Sequence, residues 1–117
     1  MRTRGCDDNN AMGPLLIWIE QNLEKDLSLP AIAWPASMST RTLTRRFLDI
    51  VGTTPAQWIA TARVRRAQQL LETTTLPVEE VAARAGFGSV SVLRAHFAGI
   101  AGTSPVAYRR TFSSSRS

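Results

Sequence analysis

Apolar positions in this chain recur in steps of three and four residues, in short blocks separated by small or polar residues. Val78, Val81, Ala82 and Ala85 form one stripe, Leu93, Phe97 and Ile100 a second, and Leu43, Phe47 and Ile50 a third. Steps of this kind line one face of an α-helix. A longer stripe, Trp58, Ile59, Ala62, Ala67, Leu70 and Leu71, predicts a long helix ending near Thr73-Thr74-Thr75. Met12 to Leu23 predicts a leading helix that offers Leu16, Ile17, Ile19 and Leu23 to a core. With no convincing strand, the pattern is all-α, with about seven helices.

Punctuation residues stand where such helices should start and stop. Glu79 and Glu80 fall in a first turn, where the helix dipole favours acids, and Gly86 follows as a stop. Ser39 and Ser89 are placed as N-caps. Thr54-Pro55-Ala56-Gln57 fits a capping box with proline at the first helical position, and Ser104-Pro105 starts a shorter equivalent. Pro35, late in the first scaffold helix, should end or kink it near Ala33. Trp34 beside it then either packs on the leading helix, the preferred reading, or belongs to a protein-contacting patch.

The chain also repeats itself. Ser39 to Phe47 aligns fifty residues later with Ser89 to Phe97, Ile50 to Pro55 with Ile100 to Pro105, and Trp58 with Tyr108. Upstream the offset is forty-nine: Ile32-Ala33 meets Val81-Ala82, and Met38 meets Phe87. Each copy reads as two helices joined by about three residues, a helix–turn–helix. The expected organisation is a disordered tail at 1–11, a first helix–turn–helix subdomain at 12–54, a linking helix at 55–73, a second subdomain at 74–112 and a disordered tail at 113–117. Trp58 and Tyr108, equivalent by repeat, are expected in the core.

Composition narrows the chemistry. The chain has 117 residues and 44% hydrophobic content, enough for one ordinary domain or two very small ones. No apolar run approaches the ~20 residues that span a bilayer, and the start lacks the apolar core of a secretory signal. The expectation is a soluble, cytoplasmic chain with no membrane partner. One cysteine (Cys6) and one histidine (His96) leave no set of metal ligands and no Cys–His pair. No cofactor is expected. An enzyme is the weakest option, with no nucleophile beside a base and no paired carboxylates in a plausible pocket.

Fourteen basic residues against nine acidic give a net charge of +5, and only Lys25 among the cations is not arginine. The cations are sorted. Arg41, Arg45, Arg46, Arg63, Arg65 and Arg66 stand against Asp49 alone, and Arg94, Arg109, Arg110 and Arg116 against no acid, whereas Asp7 to Asp26 carries five acids and one lysine. Two basic clusters about fifty residues apart point to two contacts with a polyanion.

Leu43-Thr44-Arg45-Arg46-Phe47 followed by Gly52-Thr53-Thr54-Pro55, then Arg63, Ala67 and Leu70-Leu71, resembles the DNA-binding domain of the AraC/XylS family of bacterial transcription regulators. So does Val81-Ala82…Ala85-Gly86-Phe87-Gly88-Ser89, followed by Phe97, Gly102-Thr103-Ser104-Pro105 and Tyr108-Arg109. The likeness covers roughly residues 13–112. It implies two helix–turn–helix subdomains joined by the long central helix, with recognition helices at about 39–50 and 89–100 entering successive major-groove segments one helical turn, ~34 Å, apart. It also implies activation of transcription, RNA polymerase as a partner, and an effector-sensing domain on a longer chain of which this is either a fragment or a stand-alone counterpart.

Aligned with the family, Arg41, Thr44 and Arg45 reach base edges in the first recognition helix; Val90, Ser91 and Arg94 share the equivalent face of the second. Arginine can take guanine O6 and N7 in bidentate fashion, and threonine can meet a thymine methyl. Thr40, Arg46 and His96 are candidates for phosphate, with an intramolecular ion pair open to Arg46. Ala95 is shorter than the family's residue there, so the second helix is the weaker reader. Arg63, on the inward side of the linking helix, is expected to pair with a carboxylate such as Glu80, and Arg65 and Arg66 to add to the field. Gly86-Phe87-Gly88-Ser89 lacks the lysine and preceding strand of a phosphate loop and is read as a turn. The rival from another class is a helical protein-interaction module with no DNA readout, which would tolerate the same repeat.

Overall fold

A computed structural model describes the backbone of residues 4–116 and the side chains of residues 12–112. Among these there are seven α-helices and no strand: α1 (Arg4–Gln21), α2 (Leu29–Ala33), α3 (Thr40–Arg46), α4 (Pro55–Thr73), α5 (Val78–Ala85), α6 (Val90–Ala101) and α7 (Pro105–Arg116), with α3 running on into a π-helical turn at Phe47–Val51. They divide into two compact units, one up to Ile59 and one from Ala60.

In the first unit Met12, Leu15 and Ile19 of α1, Ile32 and Ala33 of α2, Leu43 and Phe47 of the α3 segment, and Ile59 of α4 are all buried, with α1 against the π-helical turn and α2 against α3. The leading helix therefore uses the 12–15–19 step, and Ile17, expected inward, lies opposite and is 57% exposed. α1 also starts well before Met12, inside the segment expected as a tail. Once a packed stretch has nucleated a helix, each further turn costs little. Likewise α7 runs to Arg116, through most of the expected C-terminal tail. The outermost residues of those tails, 1–3 and 117, lie outside the described residues.

The turn inside each helix–turn–helix is built the same way twice. The Met38 N–H donates to the Ala33 carbonyl at 3.0 Å, and its counterpart Phe87 to Ala82 at 2.8 Å. This closure needs a left-handed residue one position earlier. The second copy supplies Gly86 (φ 95°), whereas the first supplies Ser37 (φ 57°). A side chain in that conformation costs ~1–2 kcal/mol, so Ser37→Gly is expected to stabilise the chain by about 0.5–1 kcal/mol after glycine's unfolded-state entropy is subtracted. Thermal denaturation checks this; a lowered Tm contradicts it. Pro35 does end α2 at Ala33. Trp34, however, does not pack on the leading helix. It stands two positions past the buried Ile32, on the outward side of the turn, and is 85% exposed.

The two copies part at the end of the recognition helix. The Gly102 N–H closes an ordinary α ring on Ala98 at 3.1 Å, but the Gly52 N–H reaches back five residues, to Phe47, at 3.0 Å. The wider ring turns the chain less per residue and carries Ile50 out of the stripe. Ile50, expected in the core, is 44% exposed, while its counterpart Ile100 packs half-buried against the second core.

That second core gathers Val64, Ala67 and Leu71 of α4, Val81, Ala82 and Ala85 of α5, Phe87 of the turn, and Leu93 and Phe97 of α6. Each unit also carries the same edge-on ring pair: Trp58 on Phe47 at 6.1 Å and Tyr108 on Phe97 at 5.5 Å. Both outer rings are half-buried.

Candidate nucleic-acid interface

Both recognition helices start on a serine. The Thr42 N–H donates to Ser39 Oγ at 3.1 Å and the Val92 N–H to Ser89 Oγ at 3.2 Å, satisfying orphan donors of the first turn. The helices that follow are capped in parallel, by Thr54 Oγ1 accepting from Gln57 N–H at 3.2 Å and by Ser104 Oγ accepting from Ala107 N–H at 3.1 Å. These caps and the buried Leu43/Phe47 and Leu93/Phe97 pairs fix which face of α3 and of α6 looks outward.

On α3 that face carries Thr40, Arg41 and Arg45, all exposed, and Thr44, half-buried. The Thr44 hydroxyl donates to the Thr40 carbonyl at 3.0 Å, which holds its rotamer and leaves its oxygen lone pairs and its methyl for a ligand. Arg46 is half-buried at the side and has interaction partners within the protein. On α6 Ser91, Arg94 and His96 are exposed. The His96 ring stacks on Phe87 at 5.6 Å, held at the flank of the helix. Val90 differs from expectation: it is half-buried against the second core, which leaves the outward face of α6 to Ser91 and Arg94. The first face thus carries two exposed arginines, and the second carries one.

Other cations serve the fold. The Glu80 carboxylate is held by Arg84, whose Nε donates at 3.0 Å one turn along the same helix, and not by the expected partner Arg63. Arg63 is half-buried in α4 and has partners within the protein. Arg66 Nε donates at 2.9 Å to the Arg84 carbonyl at the end of α5.

Arg109, counted at first with the basic C-terminal cluster, is a clamp. Its Nη1 donates to the Leu76 carbonyl at 2.7 Å, its Nη2 to Thr74 at 3.1 Å and its Nε to Leu71 at 3.4 Å. It satisfies carbonyls that the end of α4 and the following loop leave without helical partners. Beside it the Tyr108 hydroxyl donates to Glu72; burial first, then that hydrogen bond and the Glu72 charge, push the phenol up to about 12. Sequence reasoning missed this clamp. The only signal for it was a half-apolar helix start, Val106-Ala107-Tyr108, that had to pack on something.

Two helix–turn–helix units, each with a capped recognition helix and an outward face, define a double helix–turn–helix protein. Residues 23–111 match the family model described as a helix-turn-helix domain. The transcriptional activator NphR of a Rhodococcus species is 42% identical over 93 residues, 79% of this chain and 28% of that protein. The DNA-binding domain of the global transcriptional factor AdpA, solved in complex with a target DNA, is 41% identical with a TM-score of 0.86, over 89% of this chain and 94% of that one. An AraC-type transcriptional regulator from Chromobacterium violaceum, 26% identical, has a TM-score of 0.81 over 89% of this chain and 93% of that one. The chain belongs to the AraC/XylS family of helix–turn–helix transcription regulators. It spans less than a third of the length of the curated relatives it matches.

Proposed function

We propose that this chain is the sequence-specific double-stranded DNA-binding part of a bacterial transcription activator, inserting α3 and α6 into successive major-groove segments. The observation that carries this reading is the outward row Thr40, Arg41, Thr44 and Arg45 on a helix pinned at its start by a serine cap and inward by Leu43 and Phe47. Arg41, Thr44 and Arg45 read bases, and Ser91 and Arg94 add a weaker second contact. Thr40, Arg46 and His96 serve phosphates. The reaction is binding, not catalysis. Among the described residues no group of ligand side chains is poised for a metal, and no helix is long and apolar enough to cross a membrane. RNA polymerase as a partner, an effector-sensing domain on a longer chain and a cytoplasmic setting belong to the same proposal, supported by the family resemblance alone.

Arginine–phosphate contacts make the affinity salt-dependent. With ~6 phosphates neutralised, log K against log salt should fall with a slope near −5. Fluorescence anisotropy with a labelled duplex at several salt concentrations measures it. A slope near zero removes the DNA reading and favours the interaction-module alternative.

A further inference from the structure

Leu48 is a large aliphatic side chain, 48% exposed, where the duplicate copy has Ala98. It stands three residues after Arg45, four after Thr44 and seven after Arg41, so it continues the row those residues form. It is the first residue past Phe47, where the widening of the helix has barely turned the chain. From Arg41 to Leu48 the helix rises roughly 10 Å, about three base-pair steps.

Resting on the DNA-binding reading above, we propose that Leu48 is a specificity-determining residue of the first recognition helix, packing against the 5-methyl group of a thymine. The major-groove edge of thymine is the one that presents a methyl, and an aliphatic side chain can take it where an arginine cannot. An isolated apolar residue on a protein surface needs no explanation in general. This one adjoins two exposed arginines and a threonine whose rotamer is fixed, so a duplex laid against them would cover it. The second helix, with Ala98, has no counterpart reach.

The test uses a duplex selected by the wild-type chain from a random pool, with each thymine in turn replaced by deoxyuridine, which removes only the methyl. At one position the replacement is expected to weaken wild-type binding about three-fold, the worth of one buried methyl. Leu48→Ala should bind the parent duplex more weakly and show no penalty there, Leu48→Met should keep the penalty, and so should Thr44→Ser, which removes the neighbouring methyl reader. Melting of Leu48→Ala close to that of the wild type establishes that the fold is intact. If every deoxyuridine penalty survives in Leu48→Ala, the proposal is overturned while DNA binding stands. If the chain selects no duplex, both fall together.

Discussion

Replacing Arg41 and Arg45 together with alanine is expected to lower affinity for the selected duplex by about 100-fold or more, with little change in melting temperature. Each bidentate arginine–guanine pair discriminates by ~1–3 kcal/mol, and the two side chains share the outward row of one rigid helix. Both are exposed, and neither caps a helix. Stability should therefore not follow them. Anisotropy against the selected duplex and a scrambled one separates the effects: selective binding collapses toward the nonspecific level, which survives through phosphate contacts. An unchanged affinity would hand α3 to a protein partner instead. The equivalent change on the second helix, at Arg94 alone, removes less, because α6 carries no second arginine on that face.

The other large effect is structural and separates the two halves. Phe97 is fully buried, and its ring forms a T-shaped pair with that of Tyr108. Truncation to alanine should cost ~3–5 kcal/mol through lost burial and the cavity left behind. A unit of roughly 60 residues has only ~3–9 kcal/mol to lose. Hydrogen exchange should show the amides of α5 and α6 opening while those of α1 to α3 keep most of their protection. The salt slope of duplex binding should then shrink, since contacts from Ser91, Arg94 and His96 need a formed α6. Should the slope stay as it was, the second unit takes no phosphate, and its resemblance to the first is architectural only.

Much of this was legible in the chain itself because duplication prints the pattern twice. Ser39 and Ser89, Gly52 and Gly102, and Pro55 and Pro105 mark the same boundaries fifty residues apart, and each cap appears with its hydrogen bond. The row Arg41, Thr44 and Arg45 also followed from helical periodicity once Leu43 and Phe47 were assigned inward. What escaped has physical causes. Ile50 left the core because one ring in its helix spans five residues instead of four, a backbone event with no signature in side-chain spacing. Val90 leaned inward because α5 and α4 supply a wall that a single helix cannot reveal. Arg109 was counted with the free cations because its partners are main-chain carbonyls, which every sequence has everywhere. Glu80 found Arg84 one turn away, where a local pair needs no tertiary alignment and the distant Arg63 would. Trp34 stayed in solvent because, two positions past the buried Ile32, it points to the outward side of the turn.

The clamp of Arg109 and Tyr108 gives the C-terminal helix a role its serine-rich ending conceals. Three backbone oxygens and one carboxylate, from Leu71 to Leu76, are held by two consecutive residues of α7. The loop leading into the second scaffold helix is thereby braced from behind, so the angle at which the chain leaves α4 is set by residues more than thirty positions downstream. During synthesis that brace follows the elements it holds. The second unit can reach its final form only once α7 has been made.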